Sequence, residues 1–134
     1  HPGYEERMRL MKFPKSARLL KSSDFDRVMK QRQSASDGFV VMYAAPNEVG
    51  TTRLGLIVSR KCGNAVLRNS WKRGIREAFR LTYDELPIGY DLVLLPRRSA
   101  APIVSKLKSS LPTLANRLEK RFAEKKPQDA VDRR

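Results

Sequence analysis

Residues 63–81, GNAVLRNSWKRGIREAFRL, restrict how this chain can fold more than any other stretch. Asn64 stands directly before a long helical pattern and is a favoured N-cap residue, because its side chain can accept a hydrogen bond from an unpaired backbone N–H. At ~100° per residue, one side of this helix, predicted to reach about residue 81, collects the apolar residues Leu67, Trp71, Ile75, Ala78 and Phe79. Such a face must pack against another layer. We therefore expect Trp71 in the core rather than stacked on a ligand.

Three β-rich runs can supply that layer. They are FVVMYAA, which is ended by Pro46, then RLGLIVSR and YDLVLLP. Branched and aromatic residues of this kind favour strands, and the turn residues around them mark the ends. The first two runs are close and consecutive, which predicts a hairpin, and SASDG before them predicts a turn or loop.

Helical patterns flank these strands. Ser23 followed by Asp26 resembles a capping box and predicts a helix over roughly residues 23–32. In the last third of the chain, one helical stripe holds Val104, Leu107, Leu111, Leu114 and Leu118. Pro112 should kink or restart that helix, because it has no N–H to donate. The predicted order is α-β-β-α-β-α, an α+β fold of two layers with helices packed on a small sheet.

A chain of 134 residues predicts one domain. We expect a flexible basic arm over 1–13, a single folded domain over 14–123 and a polar tail over 124–134. No apolar run approaches the ~20 residues that a membrane span needs, and no signal peptide is visible. The single cysteine, Cys62, cannot form an internal disulfide, which fits a reducing cytoplasm.

Charge points to the kind of partner. The chain has 28 Lys and Arg against 14 Asp and Glu, a net charge of +14, which predicts a polyanion such as nucleic acid or an acidic membrane surface. On the helix that follows Asn64, four cations recur at i, i+4 along one row: Arg68, Lys72, Arg76 and Arg80. Like charges at this spacing destabilise a helix, and Glu77 is the one acidic residue available to them. We therefore predict an anionic ligand on this row rather than a merely solvated face.

The segment GLIVSRKCGNAVLRNSWKRGIREAFR also carries a family resemblance. Its order is a strand, Ser59, two cations, an apolar residue, Gly-Asn-Ala-Val and a series of spaced cations, which resembles the signature of the bacterial ribonuclease P protein subunit. Asp24-Phe25 in the first helix and the runs FVVMYA and DLVLLPR agree with it, so the resemblance covers about residues 14–122. Two positions depart from the family pattern. Ser70 stands where the family has arginine, and Met29 where it often has a second aromatic residue.

The resemblance implies a ribosomal protein S5 domain 2-like fold with a left-handed β-α-β crossover. It also implies a ribonucleoprotein endonuclease that removes the 5′ leader of precursor tRNA and whose catalyst is RNA. Contacts with the catalytic RNA would lie at Arg60, Lys61, Asn64, Arg68, Asn69, Lys72, Arg73, Arg76 and Arg80. A cleft for the single-stranded leader would be formed by Phe25, Met29, Phe39, Val41, Tyr43 and Lys61.

We expect no catalytic or metal-binding residue in the chain itself. Its one histidine is His1, and its acidic residues form no paired or metal-ligand spacing. Mg²⁺ would then be held by the RNA subunit. The expected partners are the catalytic RNA and the precursor tRNA leader, with no membrane and no obligate protein partner.

Four other classes remain as alternatives. A ribosomal protein or RNA chaperone would share the charge and the α+β pattern but would not need the Gly-Asn-Ala-Val arrangement. A DNA-binding domain is disfavoured because helix-turn-helix spacing and zinc ligands are missing. A membrane-surface helix would need its apolar residues exposed, whereas here the core requires them. A stand-alone nuclease would need catalytic side chains that the sequence lacks.

Overall fold

The computed structural model describes residues 17–19, 21–97 and 101–132, with side chains inside the last helix up to Glu124. The arm predicted for 1–13 lies outside these residues, as do most side chains of the tail predicted for 124–134. In chain order the main elements are α1 (Ser22–Lys30), β1 (Ser34–Ser36), β2 (Val40–Pro46), β3 (Arg53–Leu56), α2 (Ala65–Thr82), β4 (Tyr90–Pro96) and α3 (Val104–Asp132).

The four strands form one sheet in the order β1-β2-β4-β3. β4 pairs antiparallel with β2, placing Val93 opposite Tyr43, and parallel with β3, placing Leu92 opposite Leu54. The predicted hairpin between β2 and β3 is therefore wrong, because β4 lies between them. Leu92, Val93 and Leu94 are fully buried. A strand that is apolar on both faces gains most from a central position, which explains the insertion.

The short strand β1 replaces part of the turn predicted at SASDG. It pairs antiparallel with β2, with Ser34 opposite Tyr43 and Ser36 opposite Val41. The chain reverses direction only after β1, because the Asp37 carboxylate accepts hydrogen bonds from the N–H groups of Phe39 and Val40 at 2.8 and 2.9 Å. A local carboxylate-to-backbone turn of this kind lets a strand end immediately before it.

Helix α1 begins earlier than the predicted capping box requires. Lys21 is the N-cap and makes no side-chain cap hydrogen bond, so Ser23 lies inside the first turn and the predicted Ser23–Asp26 box is wrong. Asp24 also lies in that first turn, where a negative charge favours the helix dipole. The helix is held mainly by packing, with Val28 fully buried.

The alternation of strand residues divides the core between the two faces of the sheet. One face carries Met42, Ala44, Leu92 and Leu94 and packs against α2 and α3; the other carries Ala45 and Val93 and packs against α1. The sheet therefore has helices on both faces, and α1 adds a layer to the two that were predicted. The expected core position of Trp71 is confirmed, since its side chain is fully buried.

Helices α2 and α3 pack closely on their shared face. A Cβ at Gly74 would lie 3.4 Å from Leu107 Cδ1, so this buried glycine serves helix packing. In α3 the predicted stripe is confirmed: Leu107, Leu111, Leu114 and Leu118 are fully buried.

The predicted restart at Pro112 is wrong, because α3 continues through it as one helix from Val104 to Asp132. An interior proline costs ~3 kcal/mol. Four buried leucines, each contributing roughly 1.5–3 kcal/mol, exceed that cost.

Candidate nucleic-acid interface

The loop from β3 into α2 begins with a short 3-10 turn, Arg60–Cys62. The Ser59 hydroxyl accepts a hydrogen bond from the Lys61 N–H at 3.3 Å and caps this turn. Cys62 is buried, as expected for a small apolar residue, while Arg60 and Lys61 are exposed. The loop therefore presents two adjacent cations at the entrance to α2.

The start of α2 is fixed by Gly63 and Asn64. The predicted N-cap is confirmed, since Asn64 Oδ1 accepts a hydrogen bond from the Leu67 N–H at 2.9 Å. Gly63 has φ +128°, and a Cβ on it would lie 2.5 Å from Leu67 Cδ2, so this position requires glycine. Arg68 Nε donates to the Gly63 carbonyl at 3.3 Å. The first cation of the row is thereby tied to the loop.

The predicted row of cations lies on one side of α2. Arg68, Lys72, Arg76 and Arg80 are half-buried beside the core face, and Asn69 and Arg73 are exposed next to them. We call Arg68, Lys72, Arg76 and Arg80 the α2 row. Within the described side chains its one ion pair is Arg80 with Glu77. Four cations with one acid leave a strongly positive surface, as the sequence predicted.

Arg18 joins this surface from outside the helix. Its backbone forms an isolated bridge with Leu54 at the edge of β3, and Leu19 N–H donates to the Leu54 carbonyl at 2.9 Å. A shallow groove is lined by Arg18 together with Asn69, Lys72, Arg73, Arg76, Glu77 and Arg80. Burial lowers the pKa of the Arg76 guanidinium, and the nearby Arg18 charge lowers it further.

Sequence reasoning missed Arg18. No periodic pattern marks a lone cation before the first helix, and its place in the groove depends on a long-range bridge.

On the opposite face of the sheet, four of the predicted leader-cleft residues come together. Phe25, Met29 and Tyr43 are half-buried around the small cluster beneath α1, and Val41 is half-buried two residues from Tyr43 on the same side of β2. The Phe25 ring lies directly on the β3 backbone, because a Cβ at Gly55 would be 2.7 Å from two of its ring carbons. The result is a partly open apolar surface with two aromatic rings.

The structure does not bring Phe39 to this surface. Its ring lies 5.3 Å from the Trp71 ring, centroid to centroid, and the Lys106 Nζ lies 5.8 Å from its centroid. Alternation along β2 would put Phe39 beside Val41, but Phe39 precedes the strand and turns to the other face of the sheet. Lys61 lies in the 3-10 turn before α2.

A buried carboxylate fixes α1 relative to the sheet. Asp91 is fully buried; its oxygens accept hydrogen bonds from Arg53 Nε and Nη2 and from Asn47 Nδ2, each at 2.8 Å, and it pairs with Arg27 of α1. Burial alone would raise the pKa of this carboxyl, but the hydrogen bonds from Arg53 and Asn47 and the two arginine charges lower it overall. Sequence reasoning missed this cluster, although an Asp inside the apolar run YDLVLLP is an unusual residue there.

Two buried or half-buried carboxylates, those of Asp91 and Asp37, are bonded to protein groups. Asp91 already accepts from three side chains, and Asp37 accepts from two backbone N–H groups and from the Ser110 hydroxyl at 2.6 Å. Among the residues with described positions, no three Asp, Glu, His or Cys side chains cluster as metal ligands would. The oxygens of Asp91 and Asp37 are therefore already engaged by neighbouring groups of the protein.

Comparison with known proteins decides the family. A model of the ribonuclease P family matches residues 13–120 of the chain, which covers most of its length. The chain belongs to the ribonuclease P protein family. The ribonuclease P protein component of Pelotomaculum thermopropionicum is 38% identical over 102 residues, 75% of this chain and 91% of that protein. That of Clostridioides difficile is 36% identical over 111 residues, 81% of this chain and 97% of that protein.

Solved structures agree. The ribonuclease P protein of Staphylococcus aureus matches with a TM-score of 0.65 at 35% identity, covering 73% of this chain and 91% of that one. The Thermotoga maritima ribonuclease P protein matches with a TM-score of 0.64 at 31% identity, covering 72% and 96%. The mixed α and β architecture described above is thus that of ribonuclease P proteins. None of the helices in the described ranges has the length and apolar content to cross a membrane.

Proposed function

We propose that this chain is the protein subunit of ribonuclease P and that its α2 row binds the catalytic RNA. The observation that supports this most directly is the row itself: four cations at helical spacing, with one acidic partner in the described structure. RNA phosphates would neutralise them and release counterions on binding. Arg60, Lys61 and Arg73 extend the same positive surface, and Arg18 adds to it from the β3 edge.

The apolar surface beneath α1 is proposed to hold the single-stranded 5′ leader of precursor tRNA. Phe25 and Tyr43 offer partly exposed rings, and Met29 and Val41 complete the surface. Stacking a base on such a ring contributes ~1–3 kcal/mol and tolerates any sequence. Phe39 is left out of this proposal because it lies on the other face of the sheet. Lys61 stays in it as a phosphate contact at the sheet edge.

The chain's part in catalysis is proposed to be binding and positioning. Mg²⁺ would be held by the RNA subunit and would assist hydrolysis of the phosphodiester there. Two further proposals accompany this function: the protein works in the cytoplasm, and the β3-α2-β4 crossover is left-handed in a ribosomal protein S5 domain 2-like arrangement. Both derive from the family resemblance.

Reconstitution tests the proposal. The full chain is added to a bacterial ribonuclease P RNA at low Mg²⁺, and cleavage of a precursor tRNA with a leader of several nucleotides is followed. We expect the chain to accelerate cleavage and to leave the substrate intact when the RNA is omitted. Cleavage by the RNA-free protein that is lost when one of its own acidic residues is replaced would overturn the proposal.

Substrates with leaders of different length distinguish binding at the surface beneath α1 from binding at the α2 row. Phe25→Leu should weaken holoenzyme binding to a substrate with a long leader and spare a substrate with a one-nucleotide leader. Since Phe25 also packs on β3, the melting temperature of the Phe25→Leu variant is first compared with that of wild type. Equal losses on both substrates, in a variant that melts like wild type, would place the leader elsewhere.

A further inference from the structure

Three cations line the opposite edge of the sheet from the α2 row. Arg121 Nη1 donates to the Ser34 carbonyl at 2.6 Å, and Arg97 Nε donates to the Asp37 carbonyl at 2.8 Å. Lys106 lies beside them, with its Nζ over the Phe39 ring. We call Arg97, Lys106 and Arg121 the β1-edge cations, because they follow β1 and the turn after it.

These cations are held in place and leave an excess of positive charge at the edge. Backbone carbonyls orient the two arginines, but a neutral carbonyl does not cancel their charge. In the described part of the chain none of the three takes part in an ion pair. Asp37 lies in the same turn. Burial raises the pKa of its carboxyl, but hydrogen bonds from Ser110 and from two backbone N–H groups lower it overall, so its single negative charge offsets only part of the three positive charges.

A groove with both polar and apolar lining residues lies against the same edge. It is lined by residues of the turn after β1 and of the segment leading into α3: Asp37, Phe39, Ile103, Lys106, Ser109 and Ser110. Ile103 is 42% exposed, which is high for so apolar a side chain. Phe39, which does not reach the surface beneath α1, forms the apolar wall of this groove together with Ile103.

The edge is separate from the α2 row. β1 and β3 are the two outer strands of the sheet. The groove of the α2 row includes Arg18, which bridges to β3, whereas Arg97 and Arg121 contact β1 and the turn after it. One RNA segment on the α2 row would therefore leave the β1-edge cations uncovered.

We propose that the β1 edge binds a further RNA segment, which is single-stranded. Phosphates contact Lys106, Arg97 and Arg121, and a base rests on the apolar wall formed by Ile103 and Phe39. The proposal rests on the proposed function in one respect, that the protein works on RNA. Fixed cations beside an exposed apolar wall suit a single strand, whose bases are free to leave the stack.

The expected size of the effect follows from counterion release. Each phosphate contact with a single strand adds ~0.7 to the slope of log affinity against log salt. At a salt concentration of about 0.1 M, losing one contact therefore weakens binding about fivefold.

The experiment compares Lys106→Glu with Lys108→Glu. Both residues are exposed and lie on α3; two residues apart, they point in directions roughly 200° apart around the helix. The change in net charge is identical, so Lys108→Glu is the matched control. The probe is a fluorescein-labelled 12-nucleotide uridine strand, and anisotropy is measured on the full chain carrying Arg68→Ala, Lys72→Ala and Arg76→Ala. These three substitutions weaken binding at the α2 row, so that the contribution of the β1-edge cations can be measured.

We expect Lys106→Glu to weaken binding about fivefold or more and to lower the salt slope by ~0.7, while Lys108→Glu changes affinity less than twofold. Ile103→Ala should weaken binding without changing the slope, since it removes an apolar contact. Equal losses for the two glutamate variants, or a preference of the edge for duplex RNA, would overturn the proposal. Failure of the proposed function is a separate result: the α2-row background would then bind catalytic RNA like wild type.

Discussion

Replacing Asp91 with asparagine tests how firmly α1 is fixed to the sheet. The carboxylate is fully buried and pairs with Arg53 and Arg27, whose side chains are 18% and 38% exposed. Asparagine keeps the shape and can still accept from Asn47, but it removes the charge that both arginines face. Breaking a buried ion pair by removing one partner costs ~3–5 kcal/mol. Arg53 bears most of this cost, because Arg27 can turn toward water.

We therefore expect Asp91→Asn to destabilise the protein by ~3 kcal/mol, or roughly 10–15 °C in melting temperature for a domain of this size. Thermal and urea unfolding at pH 7, followed by circular dichroism, measure it. Asp24→Asn is the matched control: Asp24 lies 3.8 Å from Arg53 and its side chain is 23% exposed. A pair as exposed as this contributes ~0–1 kcal/mol, so the control should melt close to wild type.

The pH dependence gives a second check with a definite sign. The pKa of Asp91 is lower in the folded state than its ordinary value. Its stabilising contribution is therefore complete above the unfolded pKa, ~3.9, and is lost as pH falls through the lower folded pKa. The difference between wild type and Asp91→Asn should shrink below about pH 4. A variant that melts within about 2 °C of wild type at pH 7, or a difference that stays constant down to pH 2, would refute this account of the cluster.

Three other predictions concern the α2 row, the proposed leader surface beneath α1 and the loop before α2. Arg68→Ala, Lys72→Ala and Arg76→Ala should each weaken binding to the catalytic RNA and lower the salt slope by ~0.7–0.9, measured by filter binding across a salt series; an unchanged slope in the triple variant would show a solvated face. Tyr43→Ala should weaken holoenzyme binding to a long-leader substrate by ~1–3 kcal/mol and spare mature tRNA; an equal loss on both RNAs would contradict a leader contact. Gly63→Ala should destabilise folding by ~1–3 kcal/mol, because φ is +128° there and a Cβ would meet Leu67; urea unfolding measures it, and a wild-type midpoint would show that the loop relaxes freely.

Local signals predicted the elements of this fold well. Asn64 and the apolar stripe after it predicted α2 closely, and the run YDLVLLP predicted β4 at its observed bounds. Each of these signals consists of residues that are close together along the chain. The α2 row was predictable for the same reason, since helical geometry alone sets which of its cations share a side.

These local signals did not predict which strands pair or which distant residues come into contact. The position of β4 between β2 and β3 depends on which strand gains most from burial on both faces, and proximity in sequence favoured the wrong hairpin. Phe39 followed the alternation of β2 in sequence, yet it lies just before the strand and turns toward Trp71. Arg18 and the partners of Asp91 are brought into place by contacts with distant strands, so neither could be read from spacing.

The contacts of β3 tie the two sides of the sheet together. Its four residues lie at an outer position, yet Gly55 supports the Phe25 ring on one face while Leu54 belongs to the core beneath α2 on the other. No flexible joint separates these two contacts. If the α2 row binds the catalytic RNA and Phe25 binds the leader, β3 holds these two RNA contacts at a fixed distance from each other. The distance between the two bound RNA segments is then set across one strand, and a substitution in β3 would shift both contacts at once.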